Sequence, residues 1–256
     1  MKPTGNTIFI TGGGSGIGEA LAHRWHDAGN EVIISGRRRD ALERAIAGRD
    51  NMHAVELDVA RPESIETVAR EVLAKRPALN VLVNNAGIMR FEELDRRRDL
   101  ADAEATVTTN LLGPIRMTNA LIGHLAGQPD AAIINVTSGL AFVPMIDTPT
   151  YCATKAAIHS YTVSLREALK GRVEVIELAP PAVQTELTPG QATREGYQPL
   201  EEFADQVFAL LQREPTPPEL LVERVGWLRN AEAEHRFDET VTQLNDFARR
   251  ARAGSA

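Results

Sequence analysis

Short runs of β-branched and aromatic residues alternate with helical tracts along the first 180 residues, and few architectures accept that alternation. Thr7–Thr11 (TIFIT) runs into glycines and predicts a buried strand. Residues 16–28 follow with Ile17, Ala20, Leu21 and Trp25 at helical spacing, and Gly29 with Asn30 closes that helix. Residues 31–35, 52–57, 79–83, 131–136 and 173–178 predict five more strands. Helices are predicted over 40–47, 62–76, about 99–126 and 150–170, the third of them bent at Pro114. Strands separated by helices of this length cannot pair as hairpins. They imply a parallel sheet covered on both faces, and right-handed crossovers make it doubly wound.

Beyond Pro180 the pattern loosens. Residues 181–200 carry Pro, Gly and Thr with weak periodicity and read as a mobile segment. Helix returns over 200–211, residues 219–222 predict a seventh strand, and 237–250 a last helix. With no linker or repeat, residues 1–256 are expected to form one α/β domain, a three-layer Rossmann fold of about seven strands. Residues 186–215 are its expected substrate-loop region and 225–256 a helical extension.

The charge balance excludes some partners. A formal charge of −7 argues against nucleic acid or an anionic membrane. No run is long enough to span a bilayer. The single cysteine, Cys152, allows no intrachain disulfide, so nothing calls for an oxidising compartment. The expectation is a cytoplasmic protein.

The first strand empties into Thr11-Gly12-Gly13-Gly14-Ser15-Gly16-Ile17-Gly18, just before the first helix. Glycines allow positive φ and close approach of a ligand, and the helix start offers unpaired N–H groups to a pyrophosphate. The spacing Gly12-x3-Gly16-x-Gly18 is neither G-x-G-x-x-G nor a P-loop. The next strand ends Ser35-Gly36-Arg37-Arg38-Arg39, where a carboxylate would bind a ribose 2′-hydroxyl. Guanidinium groups there suit a 2′-phosphate instead, so NADP(H) is expected over NAD(H), with Arg37 first and Arg38 second as phosphate ligand.

Tyr151 and Lys155 stand four apart on a predicted helix and so share one face. An ammonium beside a phenol favours the phenolate, which lowers the tyrosine toward the working range of a general acid/base. Ser138, just past the fifth strand, is placed to hydrogen-bond a substrate oxygen.

Taken in order, Thr11-Gly12-x3-Gly16-x-Gly18, Asp58-Val59, Asn84-Asn85-Ala86-Gly87, Asn110, Ser138 and Tyr151-x3-Lys155 resemble the short-chain dehydrogenase/reductase family in its single-domain form. The tract from Thr109 through Tyr151-Cys152-Ala153-Thr154-Lys155 to Pro181 is similar to bacterial oxidoreductases of the D-alanine-esterification type. The resemblance implies that Tyr151 moves the proton at the substrate oxygen while hydride passes to or from nicotinamide. It implies that Lys155 lowers the tyrosine pKa and holds the nicotinamide ribose, that Ser138 orients the substrate, and that Asn110 holds a relay water. Gly12, Gly14, Ser15, Gly16, Ile17 and Gly18 would cradle the pyrophosphate. Asp58 and Val59 would contact adenine; Asn84, Ala86 and Gly87 would border the cofactor; Val183 and Thr185 would meet the carboxamide. Pro181 stands where the family often has glycine, which reshapes the loop beside the nicotinamide.

The expected activity is interconversion of a carbonyl and a secondary alcohol on a small-to-medium substrate. Leu140, Phe142, Val143 and Met145, with Ile88 and Met89, predict an apolar pocket. Two alternatives remain: an NADP(H)-binding regulator without catalysis, and an epimerase or dehydratase on the same scaffold. His23 and His26 lack further ligands, so no metal is expected. Cys152 reads as packing. The C-terminus lacks the family's Asp-Gly-Gly ending, which favours a homodimer through the long helices over a tetramer.

Overall fold

A computed structural model describes residues 1–253; the last three residues of the expected 225–256 extension lie outside the described residues. Seven strands pair in parallel: β1 (Thr7–Thr11), β2 (Glu31–Gly36), β3 (Met52–Glu56), β4 (Leu79–Asn84), β5 (Ala132–Val136), β6 (Glu174–Leu178) and β7 (Glu219–Leu220). Their order is β3-β2-β1-β4-β5-β6-β7, so the winding reverses between β1 and β4. The helices are α1 (Gly16–Asp27), α2 (Arg39–Ile46), α3 (Pro62–Lys75), α4 (Ala101–Val107), α5 (Gly113–Leu125), α6 (Pro149–Ala168), α7 (Leu200–Leu211), α8 (Glu223–Arg229) and α9 (Phe237–Ala253).

The TIFIT run shows why both sheet faces are apolar. Successive strand side chains alternate faces. Ile8 and Ile10 therefore join Trp25 of α1 and Phe203 of α7 on one side, while Phe9 joins Ile65 of α3 and Met117 of α5 on the other. The connections after β4, β5 and β6 leave from the carboxyl edge and are the long ones. Parallel sheets gather loops on that edge, and a reversal of winding opens a crevice there.

Three expectations are corrected. The helix predicted over 99–126 is two helices separated by a π-helical turn, Thr108–Leu112. Pro114 has no N–H to give the Asn110 carbonyl, and the ladder widens just before it. Residues 181–200, read as mobile, are pinned instead. Val183 bridges Gln198, and the Gln191 amide donates to the Val183 carbonyl and Thr185 Oγ1 while its oxygen accepts from Thr188 Oγ1. Periodicity cannot register a buried side-chain network. The seventh strand stops at Leu220, and α8 begins three residues later.

Candidate active site

A cavity of about 790 Å³ opens along the carboxyl ends of β1, β2, β4, β5 and β6. Its middle is the glycine turn. Gly14, Ser15, Gly16 and Ile17 line it together with Gly12. Gly12 takes φ +68°, and a Cβ there would stand 2.8 Å from the Ala86 Cα, so only glycine fits. Ser15 precedes α1 without a side-chain cap, leaving the helix's first N–H groups facing the cavity region. Gly18 stands behind the wall rather than on it. A side chain there would collide with Asn85 Nδ2 and lie 2.5 Å from the Gly12 oxygen.

At one end the wall carries Arg37, Arg38, Asp58 and Val59. The arginine run divides there: Arg39 turns outward into an ion pair with Glu43, whereas Arg37 and Arg38 remain on the cavity wall. Asp58 accepts from the Ala60 amide at 3.0 Å, which orders the turn after β3. Ala86 and Gly87 line the middle. Asn84 does not: its side-chain amide donates to Asn135 Oδ1 at 2.8 Å inside the sheet, and its own oxygen has no hydrogen-bond partner.

At the other end Ser138, Tyr151, Lys155, Pro181, Val183 and Thr185 converge. Ser138 follows β5, and its Oγ accepts from the Leu140 amide at 3.1 Å. Tyr151 and Lys155 lie one turn apart on α6, and Nζ is 5.6 Å from the phenol ring centroid. Lys155 Nζ donates to the Val136 carbonyl at 2.8 Å. Asn110 stands behind this group, in the π turn. Its oxygen accepts from the Ile88 amide and its Nδ2 donates to the Ile88 carbonyl, at 2.9 and 2.8 Å.

The electrostatics correct the expected pairing. Burial pushes the Tyr151 phenol up to about 12, outweighing the hydrogen bond to Ser138 that favours the phenolate. Burial also drives the Lys155 ammonium down to about 8. Desolvation opposes charge on both groups, and the ammonium spends its hydrogen bond on a carbonyl rather than on the phenol. The phenol is therefore a protonated donor at neutral pH in this arrangement.

The apolar residues after Ser138 are also placed differently from expectation. Val143 is wholly buried against Leu228 and Ala231, with Phe237, Val241 and Leu244 packed around them. Phe142 meets the His159 ring edge-on at 5.1 Å and carries Arg229 over its face. The C-terminal helices consume this surface, whereas Ile88 does line the cavity. Cys152 is buried beside Thr148 and Met145, and burial pushes its thiol up. Sequence reasoning missed Arg90, Thr109 and Gln191, all on the wall. No motif or period singles them out, although Thr109 adjoins Asn110 and Gln191 falls within the expected substrate-loop region. Among the described residues no three His, Cys, Asp or Glu side chains gather as metal ligands. Nor is any helix among the described residues long and apolar enough to cross a membrane.

The chain resembles known proteins along most of its length. The profile of the family described as short chain dehydrogenase matches residues 6–196. The uncharacterized oxidoreductase DltE of Bacillus subtilis (strain 168) is 39% identical over 254 residues, covering 96% of this chain and 100% of that protein. The 3-oxoacyl-(acyl-carrier-protein) reductase FabG of Aquifex aeolicus (strain VF5) is 33% identical, covering 73% of this chain and 78% of that protein. Among solved structures, a short chain dehydrogenase from Burkholderia cenocepacia J2315 in complex with NADP superposes with a TM-score of 0.80 at 25% identity, covering 95% and 99% of the two chains. The 3-ketoacyl-(acyl-carrier-protein) reductase of Brucella melitensis complexed with NADH gives 0.75 at 28% identity, covering 84% and 93%.

Proposed function

The chain belongs to the short-chain dehydrogenase family and is an oxidoreductase, and from that premise we propose that it reduces a carbonyl, or oxidises the corresponding secondary alcohol, with NADP(H). One observation carries the reading: Ser138, Tyr151 and Lys155 meet on the same cavity wall that holds the glycine turn and Arg37. The cavity suits a dinucleotide, because the glycine turn lines its middle and the uncapped start of α1 faces it. When bound, the cofactor supplies or accepts the hydride.

The residues divide the remaining work. Gly14, Ser15, Gly16 and Ile17 would hold the pyrophosphate, with Gly12 and Gly18 shaping the turn. Arg37, supported by Arg38, would hold the 2′-phosphate, and Asp58 and Val59 the adenine. Ala86, Gly87, Pro181, Val183 and Thr185 would border the nicotinamide, with Asn84 tying β4 to β5 behind them. Ser138 orients the substrate oxygen, and Tyr151 delivers its phenolic proton there. A phenol held protonated up to about 12 suits the donor of reduction. Lys155, protonated below about 8, stands close enough to stabilise the phenolate left behind. Asn110 acts by locking Ile88 beside the pocket.

FabG is named as a reductase of a 3-oxoacyl group, and a protein of Chromohalobacter salexigens 33% identical over 186 residues as a reductase of sulfoacetaldehyde, which supports a carbonyl substrate. The reading takes residues 1–256 as one cytoplasmic catalytic unit. It takes residues 186–215 as the substrate-facing stretch and the outer faces of α5 and α6 as the contact of a homodimer. Half-exposed Val163 on α6 fits such a contact. A panel of small ketones and aldehydes assayed with NADPH tests the reading. Wild-type turnover that Tyr151→Phe abolishes, with NADPH binding retained, upholds it; equal rates in both proteins, or none in either, refute it.

A further inference from the structure

Outside the cavity, a carboxylate is buried against the first turn of the helix that carries Tyr151 and Lys155. Glu92 lies in the coil between β4 and α4, and its side chain is 4% exposed. One of its oxygens accepts from the Thr150 amide at 3.1 Å. The other accepts from Thr150 Oγ1 at 2.9 Å and from the Arg98 guanidinium at 2.7 Å. The Glu92 amide donates to the Asp147 carbonyl at 2.8 Å, so backbone and side chain both grip the segment that opens α6.

The first turn of α6 needs such a partner. Helix starts present unpaired N–H groups and the positive end of the dipole. Thr148, at the cap position, makes no side-chain cap bond, and Pro149 has no N–H. A carboxylate 58 residues away in sequence supplies the acceptor and the negative charge instead. Burial pushes this carboxyl up, but Arg98 and the Thr150 hydroxyl and amide outweigh it and hold it below the usual carboxylate range. The group is an anion at neutral pH. Tyr151 is the very next residue, in the same turn.

The same coil is anchored at its other end, where Asn110 bonds both backbone groups of Ile88. Between the anchors lies Arg90, on the cavity wall. We infer that Glu92 is a positioning residue: a remote cap that sets where the first turn of α6 holds the Tyr151 phenol relative to Ser138. Its consequence for rate rests on the proposed role of Tyr151; its consequence for the phenol's surroundings does not.

The test uses the full chain with 13C-labelled tyrosine rings, the Tyr151 resonance being assigned by its loss in Tyr151→Phe. Glu92→Gln keeps the side-chain volume but must turn an NH2 toward Arg98 or Thr150. Glu92→Ala removes the group, and Glu92→Asp restores the charge on a shorter arm. Melting temperature and NADPH-dependent reduction of 4-nitrobenzaldehyde are measured on each. The expected result is a displaced Tyr151 resonance in the Gln and Ala variants while that of Tyr197 stays. With it kcat falls about tenfold at unchanged KM for NADPH, and Asp recovers part of both. A lowered melting temperature with an unmoved Tyr151 resonance in folded Glu92→Gln overturns the inference, as does a loss confined to KM for NADPH. If Glu92→Ala does not fold, the Gln and Asp variants decide. If wild type and Tyr151→Phe reduce the aldehyde equally, or not at all, the proton-transfer reading fails, and the resonance alone still decides the role of Glu92.

Discussion

The Glu177 carboxylate, wholly buried in β6, accepts a hydrogen bond from His159 Nδ1 of α6 at 2.8 Å. Its other oxygen accepts from Thr137 Oγ1 at 2.7 Å, in the residue just before Ser138. In register, Glu177 continues a row of polar side chains across the sheet, Asn84, Asn135, Glu177 and Glu219. Along this row the face beneath α6 is polar, whereas Ile133 and Val175, two residues back on the same face, are apolar. His159 lies one turn beyond Lys155 on the same helix face. The pair ties the helix that carries Tyr151 and Lys155 to the strand whose exit borders the cavity.

Removing one partner of that pair leaves a buried carboxylate short of a donor. His159→Ala is expected to lower unfolding stability by about 2 kcal/mol, the worth of a hydrogen bond to a charged group. His159→Leu combined with Glu177→Leu is expected to recover part of the loss, since apolar groups need no donor. Urea midpoints of the single and double variants check this.

Arg37 is on the cavity wall while Arg39 is engaged with Glu43. Arg37→Ala is expected to weaken NADPH about 10- to 100-fold and leave NADH unchanged, from about 1.5–3 kcal/mol of charged hydrogen bonding. Nicotinamide fluorescence titrations with both nucleotides read the difference. Equal weakening of the two would remove Arg37 as the 2′-phosphate ligand.

Burial drives Lys155 down to about 8 from an ordinary 10.5. Between those values the unfolded chain binds more protons at this site than the folded one, so stability rises with pH across that window. Below about 8 the folded state bears the full cost of a buried ammonium. Lys155→Met is therefore expected to melt above wild type at pH 7.5, with the gap closing toward pH 10.5. The Tyr151 phenol, raised to about 12, works in the opposite direction above pH 10. Melting temperatures of both proteins at half-unit pH steps settle the sign.

Gln191 holds three hydrogen bonds inside the stretch after β6. Gln191→Ala strips the Val183 carbonyl and Thr185 hydroxyl of a donor, and local opening follows local hydrogen bonding. Limited proteolysis within residues 186–199 is expected to quicken about tenfold, the equivalent of one to two kcal/mol. Unchanged cleavage would mean that the Val183–Gln198 bridge alone holds the segment.

The winding of this protein was legible in its sequence because it rests on local regularities. TIFIT and its five successors recur at strand length between helical periods, and parallel pairing follows from the length of the connections. The glycine turn, the arginine run and the Ser138, Tyr151, Lys155 set were legible because their spacing expresses backbone geometry close to each residue. What spacing cannot carry is burial. The tyrosine pKa expected to fall rises instead, because desolvation depends on what the whole fold places around the phenol and not on the lysine four residues on. The apolar residues after Ser138 were equally ambiguous until α8 and α9 closed over them. Glu92, Gln191 and the Glu177–His159 pair lie outside every motif and join segments far apart in the chain. Only tertiary structure brings a buried anion to the helix end that needs it, since the desolvation that makes such a contact matter exists only once the chain has folded.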